Sequence, residues 1–95
     1  MPNPFVPIDL KSTIDVRRMY TMYYFCFASG HVFPGEEHDF WELVYVDSGE
    51  LDVTAGQTEL VGGQGKLILH PPNEFHRFMV TRDHSSLFVT GFESD

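Results

Sequence analysis

The sequence predicts an all-β protein, a small sandwich or barrel of short strands. Stretches rich in aromatic and β-branched residues recur along the chain. Turn signals containing glycine, proline or asparagine separate them about every eight to twelve residues, as in sandwiches and barrels. Helical patterns are almost absent. With 95 residues, the chain has room for one domain and not for two.

Residues 1–18 are predicted to form a short N-terminal arm. Pro2, Pro4 and Pro7 stand among apolar residues at its beginning. Proline fixes φ and removes a backbone donor, so this stretch suits an extended segment that docks apolar side chains without joining the interior of a sheet.

Seven strands are predicted within residues 20–92. The first is rich in aromatic residues and contains neither glycine nor proline, which suits a pleated, half-buried surface. Asp47-Ser48-Gly49 is expected to end the second strand, and Pro71-Pro72-Asn73 the fifth, because these residues favour turns. The predicted strands are residues 20–28, 40–46, 51–54, 58–61, 67–69, 76–81 and 87–92.

The composition excludes several classes of function. Six Lys and Arg residues against 14 Asp and Glu give a net charge of −8, which a phosphate backbone repels. No apolar run approaches the roughly 20 residues that cross a bilayer, and the N-terminus lacks the basic region of a secretory signal. The single cysteine, Cys26, excludes an internal disulfide and fits a reducing compartment, so we expect a cytoplasmic protein. Its aromatic neighbours indicate a buried, inert thiol.

Alternation of side chains around residues 36–46 gives the strongest indication of function. Trp41, Leu43 and Tyr45 should share one face, which then needs a covering layer from the N-terminal segment or another subunit. Burying the carboxylates and the imidazole of the opposite face would be costly unless they are paired, hydrogen-bonded or metal-bound. The residues of that opposite face are Glu36, His38, Phe40, Glu42, Val44 and Val46.

Two spacings resemble the cupin motifs. The first motif is matched by Gly30, five residues, Glu36, one residue, His38, three residues, Glu42, six residues and Gly49. Glu36 stands where that motif has its first histidine.

The second cupin motif is matched by Gly65, five residues, Pro71, one residue, Asn73, two residues and His76. Asn73 replaces a glycine of the motif, and asparagine also adopts left-handed conformations. Val80 stands where the motif ends in asparagine. Together the two motifs span residues 30–80.

Within the cupins, the strings HDFWELVYVDSGEL and GKLILHPPNEFHRF are most similar to the N-terminal sensor domain of AraC-type transcription regulators. The resemblance implies a small cupin-type, RmlC-like jelly-roll, a double-stranded β-helix or barrel over residues 20–92 with a short N-terminal arm. It also implies a small-molecule effector pocket inside the barrel, an arm that can fold over it, and a homodimer. DNA would be bound through a following helical domain. We expect that domain to be absent from this chain, which would then be a fragment or an isolated domain.

The resemblance implies that the effector, a sugar or another small polar metabolite, lies between polar side chains and an apolar lining. We expect no catalytic residue, no cofactor and no membrane partner. His31, His70 and His84 are expected to be loop or edge residues. The residues predicted to bind the effector are His38, Glu42, His76, Glu36, Phe40, Tyr24 and Phe78.

Two other functions remain open at this stage. In the first, the chain is a free-standing cupin enzyme whose Glu36, His38, Glu42 and His76 hold a divalent transition metal, since imidazole and carboxylate suit Zn, Mn, Fe and Ni. Isomerisation, oxygenation or decarboxylation would be its reaction. In the second, the chain is a structural dimerisation module with a filled core.

Overall fold

The computed structural model describes residues 15–94, and this part of the chain is all-β, without a helix. All its strand pairs are antiparallel. The prediction of an all-β fold is therefore confirmed. The strands are β1 (Val16–Phe27), β2 (Val32–Glu36), β3 (Trp41–Ala55), β4 (Thr58–Gly63), β5 (Leu67–His70) and β6 (His76–Ser94).

The two long strands β3 and β6 pair with each other and run through both halves of the fold. In the first half, the end of β6 lies between β1 and the beginning of β3, and β5 pairs with the other edge of β3. In the second half, the beginning of β6 lies between β2 and the end of β3, and β4 follows β3. Residues of both halves line one cavity, so the halves face each other as in a jelly-roll.

The strand count differs from the sequence-based prediction because two expected turns are irregularities inside strands. Register shifts between Val46 and Leu51 interrupt the pairing of β3 with β6, and Gly49 has a φ of +84°. The Asp47-Ser48-Gly49 signal therefore marks a bulged bend within β3, not its end. Residues 76–81 and 87–92 likewise belong to the single strand β6. The sequence did not predict β2, because this strand contains Pro34 and Gly35, two residue types that are unusual within strands.

The buried core lies where the two halves meet. Before the bulge, the inward-facing residues of β3 are the even-numbered Val44 and Val46, and after it they are the odd-numbered Leu51 and Val53. The irregular register thus shifts the alternation by one residue, so that apolar side chains of β3 point into the core both before and after the bulge. Burying one such side chain stabilises the fold by roughly 1.5–3 kcal/mol. The core consists of Val44, Val46, Leu51, Val53, Ile68, Val80 and Leu87.

The outer face of the first half is apolar. Tyr24 and Tyr45 both pair with Phe88, and Leu67 pairs with Tyr45, so the four residues form a row across the strands. Leu67 is 62% exposed. Cys26 is exposed as well, with its sulfur 3.2 Å from Ser86 Oγ. The prediction of a buried thiol is therefore wrong, because β1 turns this side chain away from the cavity.

The predicted N-terminal arm lies mostly outside the described residues. Its residues 1–14 are not among them, and residues 16–18 belong to β1. In the described part of the chain, no helix has the length and apolarity needed to cross a membrane.

Gly49 provides a test of the bulge. A Cβ at this position would clash with Ser85 Oγ and lie 2.7 Å from the carbonyl oxygen of His84, and the positive φ strains any other residue. We expect Gly49→Ala to lower the free energy of unfolding by at least about 2 kcal/mol, measured by urea denaturation. Gly63→Ala is the control, because nothing lies within 4 Å of the added methyl. Equal stability of the two variants would contradict this account of the bend.

Candidate functional site

A cavity of about 500 Å³ lies between the two halves of the fold. Aromatic rings form much of its wall, and a cluster of carboxylates and imidazoles interrupts them. We call Glu36, His38, Glu42 and His76 the polar cluster.

Strand register brings the polar cluster together. Glu36 ends β2 and pairs with His76, the first residue of β6. Glu42 lies near the start of β3, one residue into the strand. His38 belongs to the loop between β2 and β3, and its carbonyl oxygen accepts a hydrogen bond of 2.7 Å from the backbone N–H of Asn73. Asn73 has a φ of +66°, in agreement with its place in the second cupin motif.

The side chains of the polar cluster are in close contact. His76 Nε2 lies 3.1 Å from Glu42 Oε2 and 3.3 Å from Glu36 Oε1. His38 Nε2 lies 3.5 Å from an oxygen of each carboxylate. The side chains of His38 and Glu42 are only 13% and 12% exposed, whereas that of Glu36 is 43% exposed. The two imidazoles and the two carboxylates therefore form one electrostatic unit at the cavity wall.

Backbone carbonyls orient both imidazoles. His38 Nδ1 lies 2.9 Å from the carbonyl oxygen of Phe40, and His76 Nδ1 lies 3.1 Å from that of Glu74. A carbonyl only accepts, so each Nδ1 carries a proton and donates it. His38 Nε2 is left buried without a hydrogen-bond partner and faces the carboxylates. In the neutral imidazole this nitrogen is an acceptor, because the one ring proton is on Nδ1.

The charges of the cluster shift two pKa values in opposite directions. Burial alone would lower the pKa of His76, but the hydrogen bonds that it donates to Glu42 and to the carbonyl of Glu74, together with the charge of Glu42, raise it to about 9. Burial alone would raise the pKa of Glu42, but the hydrogen bond and charge of His76 hold it below its usual value. His76 and Glu42 therefore form an ion pair at neutral pH.

His70 is a cavity residue that sequence reasoning missed. It is 3% exposed, and its ring stacks on that of His76 at a centroid distance of 4.3 Å. Burial lowers its pKa although Glu74 Oε1 lies 3.1 Å from its Nδ1. His70 does lie in an edge strand, since among the described strands β5 pairs only with β3, but it is buried and has partners. Alternation along β5 could have predicted its burial, because His70 follows the inward-facing Ile68 by two residues and so lies on the same face of the strand.

Most of the predicted site residues lie at the cavity, and Tyr24 does not. Tyr24 lies on the opposite face of β1, where its hydroxyl donates a hydrogen bond of 2.9 Å to Asp47 Oδ2. The neighbouring Tyr23 lines the cavity, where Tyr24 was expected. The remaining predicted residues line the cavity as expected: Glu36, His38, Phe40, Glu42, His76 and Phe78.

A continuous series of rings extends from the polar cluster along the cavity. Phe33 lies beside His76, with ring centroids 6.5 Å apart, and packs on Phe78 at 5.4 Å. Phe78 contacts Phe27 at 5.7 Å, and Phe25 follows Phe27 at 5.3 Å. A ligand whose polar end meets the cluster would thus place its remainder against aromatic surface.

The polar cluster also fits a divalent metal ion. One ligand atom from each of its four residues lies within 4.8 Å of the others, and the histidine–carboxylate distances are 3.1–3.5 Å. Ligand atoms of a tetrahedral site with bonds near 2.1 Å are about 3.4 Å apart. Hydrogen bonds from Nδ1 to carbonyls are also typical of metal-binding histidines. A metal held here would supply Lewis-acid chemistry.

Comparison with known proteins places this architecture in a family. A family model for the AraC-like ligand binding domain matches residues 14–95. The chain therefore belongs to the AraC-like ligand-binding domains, a cupin-like family, as the sequence motifs indicated. No curated protein matches the chain in sequence.

Solved structures with the same fold include cupins. An RmlC-like cupin from Shewanella frigidimarina is 21% identical, with a TM-score of 0.70 over 75% of this chain and 63% of its own. A protein from Thermotoga maritima, described as a predicted oxalate decarboxylase, is 13% identical, with a TM-score of 0.75 over 79% of this chain and 67% of its own. This chain thus spans about two thirds of their lengths. The jelly-roll prediction is confirmed.

The raised pKa of His76 predicts a pH dependence of stability. Its contribution is fully present below the unfolded value of 6.5 and is lost as the pH rises through the folded value of about 9. In chelator-treated protein, we expect the free energy of unfolding to fall by up to about 3 kcal/mol across this window. Urea denaturation at several pH values measures it.

Two variants make this pH test specific. His76→Gln should abolish most of the fall, because it removes the imidazolium whose raised pKa causes the fall. His84→Gln removes an exposed histidine outside the cluster and should leave the fall in place. A pH-independent stability of the unsubstituted chain would contradict the ion pair.

Proposed function

We propose that this domain is the ligand-sensing part of an AraC-type transcription regulator and binds a small-molecule effector in the cavity. The observation that carries the proposal is the cavity itself, whose aromatic wall contains one compact polar cluster. Its volume of about 500 Å³ is within the range typical of small-molecule sites. Membership in the AraC-like ligand-binding family supports the same function.

The polar cluster suits reversible binding better than metal-free catalysis. Its residues can accept hydrogen bonds from a ligand or donate them to it. Without a ligand, some of their polar atoms are paired with one another. In the described residues, Ser48, Ser85 and Ser86 have no neighbouring histidine–carboxylate arrangement that would activate a nucleophile. The proposal therefore assigns binding roles, and no catalytic role, to the cavity residues.

Homodimerisation and a cytoplasmic location belong to the same proposal. Exposed apolar side chains on the outer face of the first half, among them Met22, Phe88 and Leu67, support an association between copies. Binding would regulate transcription by favouring one arrangement of the dimer or arm, which requires different effector affinities for the two arrangements. DNA would be contacted by another domain of the regulator.

The proposal predicts that a ligand stabilises the domain through the cavity. In a thermal-shift screen of metabolites, a compound present at 100 times its Kd should add about 2.7 kcal/mol to the free energy of unfolding. Val89→Phe places a ring in the cavity and should abolish this stabilisation. Val61→Phe adds the same ring to an exposed position of β4 and should preserve it.

Two results would contradict the sensing function. One is a screen in which no compound stabilises the protein, which is the result expected of a structural module with a filled core. The other is a stabilising compound whose effect is the same in both phenylalanine variants, because such a compound binds elsewhere.

A metal-binding cupin enzyme is the second candidate function. The buried, unpartnered His38 Nε2 favours it, since a cation between the carboxylates and this nitrogen would satisfy all three groups. A metal at Glu36, His38, Glu42 and His76 would assist isomerisation, oxygenation or decarboxylation as a Lewis acid or redox centre.

Metal stoichiometry separates the two candidates. Protein purified without chelator and dialysed against Zn²⁺ or Mn²⁺ should contain clearly less than one ion per chain if it is a sensor, as measured by elemental analysis. One ion per chain, lost in His38→Ala and retained in His84→Ala, would favour the enzyme instead. Both variants remove an imidazole, but only His38 belongs to the polar cluster.

A further inference from the structure

We infer that the cavity binds a small organic cation, a primary ammonium group carried on an apolar or aromatic body. The inference rests on the proposed function, because it names the class of ligand for the same cavity. It goes beyond a general small-molecule site because three properties of the cavity favour one ligand class: its hydrogen-bonding capacity, its charge and its aromatic wall.

The hydrogen-bonding capacity of the polar cluster matches an ammonium group. Glu36 Oε1, Glu42 Oε1 and His38 Nε2 are three acceptors, and the nitrogen lies 3.5 Å from each oxygen. In the neutral imidazole of His38, the one ring proton is the one that Nδ1 donates to Phe40, so Nε2 is an acceptor. A primary ammonium has three donors and no acceptor, whereas a hydroxyl has a single donor. An ammonium can therefore satisfy all three groups, including the buried nitrogen that has no partner.

The charges at the cavity disfavour an anionic ligand. Glu36 and Glu42 contribute two carboxylates to the wall, and protonated His76, which is paired with Glu42, contributes one positive charge. Among the described residues that border the cavity, Arg77 is the one lysine or arginine, and its side chain is exposed. Its Nε donates a hydrogen bond of 3.1 Å to Thr54 Oγ1, a residue outside the cavity lining. The two carboxylates outnumber the His76 imidazolium, which they already contact, so a carboxylate or phosphate ligand would be desolvated beside an excess of negative charge, which is costly.

The aromatic wall suits the remainder of such a ligand. Phe33 lies next to the polar cluster, and Phe78 and Phe27 continue the wall away from it. Aromatic faces attract cations within about 6 Å and also bury apolar surface. A ligand whose ammonium lies at the cluster would therefore place its apolar body along this series of rings.

Three probes that share one aromatic body and differ in their polar end group test this inference. Chelator-treated protein, which excludes bound metal, is titrated by calorimetry with phenethylamine, phenethyl alcohol and phenylacetate. We expect phenethylamine to bind with a Kd of about 1 mM or tighter, at least tenfold more tightly than the alcohol, with no binding of phenylacetate. Adding Zn²⁺ beforehand should weaken the binding of the amine if the ion occupies the same acceptors.

Charge-removing variants locate the ammonium. Glu36→Gln and Glu42→Gln should each weaken the binding of phenethylamine at least tenfold. Glu36 is the more exposed of the two, so its substitution tests the site even if Glu42→Gln unfolds. Glu59→Gln removes the same charge from an exposed position of β4 and should leave the affinity unchanged.

Several outcomes would overturn the inference. They are equal or tighter binding of the alcohol or of phenylacetate, no binding of the amine, and an equal loss of affinity in Glu59→Gln. The proposed function fails separately. If the metabolite screen yields a neutral or anionic ligand that Val89→Phe excludes, sensing stands and the cationic ligand class is wrong.

Discussion

The structure depends on a constraint that acts where the two halves of the fold meet. β3 and β6 must cross from one half to the other while keeping apolar side chains on the inside, and strict alternation would not allow this through the bend. The irregular register between Val46 and Leu51 changes the phase of β3. Gly49 makes the bend sterically possible, because its α-carbon lies against Ser85. The cavity exists because both long strands bend without ending.

The same arrangement explains how charged side chains come to be buried. Glu42 lies beyond the core residues of β3, and His76 and Glu36 arrive from the opposite half by pairing of β6 with β2. Each carboxylate contacts the imidazole of His76 in the folded structure, so ion pairing partly offsets the cost of burying the charges. The compensation is incomplete at His38 Nε2, which is buried without a hydrogen-bond partner.

Sequence reasoning predicted the fold and most residues of the candidate site, because the spacing of the motifs determines which strands carry the polar residues. It failed where the same residue types have two structural uses. Gly49 follows Asp47 and Ser48, a combination that marks turns and bulges alike, so one long strand was divided in two. Tyr23 and Tyr24 are neighbours in an aromatic strand whose two faces are both apolar, so alternation could not say which one faces inward.

Phe40 links the cavity to the ends of the described strands. Its ring stacks on His38 at a centroid distance of 3.9 Å and contacts the ring of Tyr20 at 4.6 Å. A Cβ at Gly91 would lie 2.6 Å from this ring, so the ring rests directly against the backbone of β6. Tyr20, near the beginning of β1, donates a hydrogen bond to Glu93, near the end of β6. A displacement of the His38 imidazole would consequently push, through two rigid rings, on the point where the polypeptide enters and leaves the barrel.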